Sequence, residues 1–168
     1  GINMVLHRKL QGEIHSCTIT KTTTCKYHVS ILCETGETNL PVKPINTKTI
    51  GIDMGLNHFC ILSNGLKIDN PRYLKNNLLK LKTLQQKLST KQLGSNRRKL
   101  AKLKLARLHE RITNQRVDFQ HKLSTKLVKH FDTICIESLS ITKMLKNNYL
   151  AQSISDASWS SFFTMLKY

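Results

Sequence analysis

Acidic side chains are scarce in this chain. Ten Asp and Glu stand against 27 Lys and Arg in 168 residues, a formal net charge of +17. A surface so one-sided repels itself unless something anionic covers it. Other absences narrow the field further. No run approaches the ~20 apolar residues of a transmembrane helix, and no charged-then-apolar leader opens the chain. The glycine at position 1 is expected to mark a fragment or a processed start. Aromatic residues make up only 6%, and the basic segments carry Leu and Ala stripes rather than the Trp/Phe-rich face of an interfacial anchor. A membrane surface therefore fits less well than nucleic acid, whose phosphates release counterions to each Lys or Arg. Five cysteines (Cys17, Cys25, Cys33, Cys60 and Cys135) form no CxxC pair. That argues against both a zinc ribbon and a disulfide framework in this stretch. Buried thiols in the reducing prokaryotic cytoplasm are the expectation.

What is present is an ordered series of elements. Residues 13–34 alternate as a β-hairpin, with Val29, Ile31 and Cys33 on one face and the turn at TTTC. Residues 40–48, with Pro41 and Pro44, read as a linker, so a β-rich module is expected over 1–47 and a second domain over 48–168. TIGIDMG, HFCILSNG and LKI then make a meander of three short strands with an Asn-Gly turn. Asn70 as N-cap and Pro71 as first helical residue predict a helix start. Leu74, Leu78, Leu81, Leu84 and Leu88 recur at helical spacing up to a break at Gly94-Ser95. A longer stripe follows through Ala101, Leu105, Leu108, Ile112, Phe119, Leu123 and Leu127. Together they predict an antiparallel helical hairpin over about 71–131. DTICIESL reads as a further buried strand. Residues from Asp156 onward, with Trp159, Phe162, Phe163 and Leu166, read as an amphipathic helix in which Trp159 belongs to the core.

The charge is concentrated on the hairpin. Residues 71–131 hold 17 Lys or Arg and two acids, Glu110 and Asp118. Solvated helix faces ordinarily mix signs to gain i,i+4 pairing. A face that pairs so little is matched to an external anion, and Arg97, Arg98, Lys99, Lys102, Lys104, Arg107, Arg111 and Arg116 are the candidate phosphate contacts. Such contacts position a strand without reading its sequence.

Two carboxylates stand out against this background. Asp53 lies within TIGIDMG and Glu137 ends TICIE, each after an apolar run that reads as a buried strand. Burying a carboxylate is costly unless it is paired or metal-bound, and Gly51 and Gly55 leave room around Asp53. The layout matches an RNase H-like α/β fold, in which the first and fourth strands are neighbours and acidic oxygens gather around two Mg²⁺ ions. Each acid also has a plainer reading: Asp53 could bond its own backbone in a turn, and Glu137 could simply reach solvent. The seven histidines, Ser160-Ser161 and the lone Gly36 form no nucleophile–base pair or phosphate loop that the spacing supports.

At these residues the sequence resembles a known family. GIDMGLNHFCILSNGLKIDNPRYL resembles the first nuclease motif of the TnpB (OrfB) proteins of insertion sequences. KLARLHERITNQRVDFQHKLSTKLVKHFDTICIESLSITKMLKN is similar to their helical segment and second motif, and SISDASWSSFFTMLKY to the segment after it. The resemblance implies a RuvC-like, mixed-sheet nuclease domain with an inserted helical hairpin, preceded by a wedge-like hairpin module. It implies an RNA-guided DNA endonuclease with DNA and guide RNA as partners, and Asp53 and Glu137 as catalytic, Mg²⁺-holding residues. The family's third carboxylate, an Asp after a four-Cys zinc ribbon, matches nothing in these residues, nor does most of its N-terminal recognition lobe. The chain is therefore expected to be truncated at both ends and inactive alone. An inactive nucleic-acid-binding remnant, or another RNase H-fold nuclease such as a resolvase, stays open at this point. Asp156 matches the opening of the next helix and is expected to cap it.

Overall fold

The computed structural model describes residues 4–7, 9–36 and 48–167. The expected linker lies almost wholly outside them. The chain forms two compact units, residues 1–42 and 43–168. The first is a two-stranded antiparallel ribbon, β1 (Glu13–Lys21) and β2 (Tyr27–Glu34), as the alternation predicts. A register shift between Ile14 and Ser16 brings Ile14, Cys17 and Ile19 opposite Cys33, Ile31 and Val29 on one face. Gly12 stands at the mouth of the ribbon with φ +84°, and a Cβ there would sit 2.0 Å from the Glu34 carbonyl oxygen.

The second unit is built on a four-stranded sheet. β3 (Thr49–Met54), β4 (His58–Leu62) and β5 (Lys67–Asp69) form the expected antiparallel meander. β6 (Thr133–Ile136) joins β3 in parallel, giving the order β5-β4-β3-β6. Strand alternation sorts the faces. Ile50, Ile52 and Met54 are buried against Leu123, Leu127, Ile154, Trp159 and Phe162, while Phe59 meets Phe119 and Phe162 edge-on at 5.1 Å. β6 is an edge strand, paired on one side only; its Ile134 and Ile136 are half-buried, while Thr133 and Cys135 face water.

Between β5 and β6 run two helices, α1 (Tyr73–Ser89) and α2 (Asn96–His130). At ~1.5 Å per residue the 35 residues of α2 span about 52 Å. Ser95 caps α2 by accepting from the Arg98 N–H at 3.2 Å, and Gly94 (φ +78°) makes the turn before it. The hairpin has its own small core of Leu81, Leu108 and Ile112. After β6 come α3 (Ile141–Met144), α4 (Ala151–Ala157) and α5 (Trp159–Lys167).

Three expectations need correction. α1 begins at Tyr73, not Pro71, because Arg72 adopts a left-handed conformation (φ 48°) and Asn70 closes a tight turn by accepting from the Arg72 N–H at 3.2 Å. Asp156 ends α4 instead of opening the next helix; the chain breaks at left-handed Ser158 before α5. Only Cys60 is a buried thiol; all five cysteines are free, and Cys17, Cys25 and Cys135 are exposed.

Candidate nuclease site and basic hairpin

The parallel register fixes where the two acids stand. Ile52 faces Ile136, so Asp53 of β3 and Glu137, the residue just past the end of β6, come next in register. Such strands lie about 4.8 Å apart. Both side chains belong to the outward parity of the sheet, with Gly51, Ser63 and Cys135. The expectation that the two carboxylates are buried is overturned: both are exposed, since the buried parity of β3 and β6 belongs to Ile50, Ile52, Ile134 and Ile136. Burial therefore gives no reason for a metal; juxtaposition of two hard oxygen donors does. Two adjacent carboxylates fit part of a Mg²⁺ ligand set. Among the described residues no group of three or more His, Cys, Asp or Glu gathers as a metal cage.

Sequence reasoning missed what holds this edge of the sheet. The turn after Asp53 starts at Gly55, where a Cβ would lie 2.9 Å from the His58 carbonyl oxygen. Asn70 Nδ2 donates to the Leu56 carbonyl at 3.1 Å, and Arg72 Nη2 donates to the Asn57 carbonyl at 3.3 Å. The same left-handed Arg72 leads into α1, whose first amides are capped from 82 residues away. Leu74 N–H donates to both oxygens of Asp156 (3.0 and 3.1 Å), Lys75 N–H donates to Oδ2 (3.1 Å), and Arg116 Nη2 reaches Oδ1 at 3.4 Å. Asp156 is 7% exposed, so this carboxylate, not either sheet acid, is the buried one. Gln120, also fully buried, donates to the carbonyls of Ala157 and Ser158 at 3.0 Å each and fixes the α4–α5 break. The available signal was the DASWSS string, in which a polar pair interrupts an apolar helix.

The eight nominated cations divide into two groups. Arg97, Lys99, Lys102, Lys104, Arg107 and Arg111 are exposed on α2, and Lys104, Arg107 and Arg111 share one face. Arg98 instead turns back to the carbonyls of Leu88 and Lys91 (3.0 and 2.9 Å) and closes the end of α1, while Arg116 is engaged by Asp156. Asp118 on α2 is taken by Lys122 at 2.7 Å, a hydrogen bond that raises the Lys122 ammonium above its ordinary value.

Comparison with known proteins now decides the lineage. Residues 28–148 match the OrfB_IS605 family, described as "Probable transposase". The chain belongs to the TnpB/OrfB family. A Streptomyces pristinaespiralis protein named "Putative RNA-guided DNA endonuclease" is 42% identical over 157 residues, 94% of this chain and 38% of that protein. An Escherichia coli (strain K12) protein, "Putative RNA-guided DNA endonuclease InsQ", is 33% identical over 141 residues, 83% of this chain and 34% of its own length. A "TnpB-like protein L79" of Acanthamoeba polyphaga mimivirus is 36% identical over 72 residues, 42% of this chain and 14% of that protein. The chain thus spans little more than a third of the length of the first two TnpB/OrfB relatives. Among the described residues no helix is long and apolar enough to cross a membrane.

Proposed function

We propose that this chain carries the first two carboxylates of a Mg²⁺-dependent, RNA-guided DNA endonuclease encoded by a transposon, on an RNase H-like (RuvC-like) sheet. The observation that carries this reading is the parallel pairing of β3 with β6, which sets Asp53 beside Glu137 on one exposed face. The antiparallel meander followed by a parallel fourth strand supports the RNase H-like assignment, and the named relatives support the substrate class. Mg²⁺ held there would supply water activation and charge stabilisation at the leaving oxygen of a phosphodiester. The protein's own contribution is positional: the Asn70 and Arg72 hydrogen bonds hold the turn after Asp53, and exposed α2 cations hold phosphates of DNA or guide RNA.

Two carboxylates alone bind a metal pair weakly. These 168 residues, mixed with Mg²⁺ and single-stranded DNA, are expected to leave the DNA uncut. The decisive measurement uses Mn²⁺ as a paramagnetic probe of the sheet by NMR. Titrated Mn²⁺ is expected to broaden amides around positions 53 and 137 together, and Asp53→Ala is expected to abolish both effects. Broadening at one position alone would overturn the shared site. Robust cleavage lost in Asp53→Ala would show that two carboxylates suffice.

A further inference from the structure

The candidate cations named above lie on α2, yet two clefts of about 430 Å³ each are lined by residues of α1. One is lined by Arg72, Lys75 and Leu78 of the α1 start, with Asn57 and Gln152 opposite. The other is lined by Leu78, Leu79 and Lys82, with His109 of α2 opposite. Leu78 borders both, so the two clefts follow one another along α1 with this side chain between them. Lys75, Leu78, Leu79 and Lys82 follow one another at steps that place them on one helix face. Arg72 to Lys82 covers about 15 Å of axis.

We propose that this groove holds a short stretch of single-stranded nucleic acid, led along α1 toward the turn that follows Asp53. The inference rests on the nucleic-acid reading above but assigns the strand a different surface. Its basis is the match of charge and shape. Among the described residues lining the groove the single carboxylate is Asp156, and its oxygens are already taken by two backbone amides and Arg116. Lys75 and Lys82 are exposed, and their ammonium groups make no hydrogen bond or ion pair among the described residues. Leu79, 84% exposed, and Leu78 put apolar surface between these cations. Phosphates suit the cations, and the faces of unpaired bases suit the leucines; a duplex keeps those faces stacked inside, so an apolar wall offers it little. Single-strand grooves generally combine a cationic track with surfaces that accept base faces.

The test is fluorescence anisotropy on the 168-residue chain with three labelled probes: a 12-nucleotide dT strand, a 12-unit abasic strand of equal charge, and a 12-base-pair duplex. The dT strand is expected to bind at least about fivefold tighter than the abasic one. The variant Lys75→Gln/Lys82→Gln, with both changes at exposed positions, is expected to weaken dT binding on the order of tenfold at low salt. It should also reduce the log–log salt slope by about 1.4, two contacts at ~0.7 each. Circular dichroism identical to the parent separates this from misfolding. Leu79→Ser is expected to narrow the gap between dT and abasic strands while leaving the salt slope unchanged. If the lysine variant binds as the parent does while Arg107→Gln/Arg111→Gln loses affinity, the strand lies on α2; the groove assignment falls and the nucleic-acid reading stands. Preference for the duplex, or capture of an acidic amphipathic peptide in place of DNA, also overturns the groove assignment. If the parent binds no probe at all, both readings fall.

Discussion

Asp156 shows how much a single carboxylate can organise. It sits at the end of a seven-residue helix, yet its partners are the first amides of α1 and a guanidinium of α2. Leaving buried N–H donors and Arg116 without an acceptor is costly. Asp156→Ala is expected to lower stability by about 3 kcal/mol in urea unfolding, and Asp156→Asn by about half as much because one oxygen remains. A loss under about 0.5 kcal/mol for the alanine variant would mean that water replaces the carboxylate at no cost. Thiol chemistry supplies a second residue-level outcome. Burial pushes Cys60 up to about 11, so it stays a neutral thiol at pH 8. Iodoacetamide at that pH is expected to label exposed Cys17, Cys25 and Cys135 and spare Cys60, as read by peptide mass spectrometry. Because its folded value lies above its unfolded value of 9.0, stability tied to Cys60 is intact below pH 9 and declines as pH rises from about 9 toward 11.

Among the elements, α2 was the easiest to read: its Leu and Ile stripe, Gly94-Ser95 and 35 residues of unbroken periodicity agree with the observed helix. Ser95 is a local cap, visible in sequence because donor and acceptor lie three residues apart. Ser95→Ala is expected to cost about 1 kcal/mol by thermal unfolding. The meander and the ribbon were legible for the same reason, since alternation and an Asn-Gly turn are short-range signals. The start of α1 was not legible, because its cap arrives from 82 residues downstream and no spacing rule spans that gap. Likewise, apolar flanks made Asp53 and Glu137 look buried, whereas β6 is an edge strand and the outward side of the sheet is open at both acids. Their adjacency followed from assigning a fold, not from the residues one by one. Arg98 and Arg116 read as surface cations because composition does not reveal that carbonyls and a buried acid already claim them.

On the scale of the whole molecule, the charge imbalance predicts how the proposed binding responds to salt. With 27 basic side chains and 10 acidic ones, single-strand affinity is expected to fall steeply with salt. Six phosphate contacts would give a log–log slope of about −4. A flat response between 50 and 200 mM salt would remove the phosphate-contact account.

The strands that bring the two carboxylates together are far apart along the chain. β3 ends at Met54 and β6 begins at Thr133, with the entire helical hairpin between them. Closing a loop that long before any contact rewards it is slow. The hairpin, whose contacts are local, shortens the search by returning the chain to its starting edge. Pulse-labelled hydrogen exchange during refolding is expected to protect α1 and α2 before the β3–β6 amides. On that expectation the insert has a part in assembly as well as in the proposed binding: the edge that carries both acids is completed last, after the basic hairpin already exists.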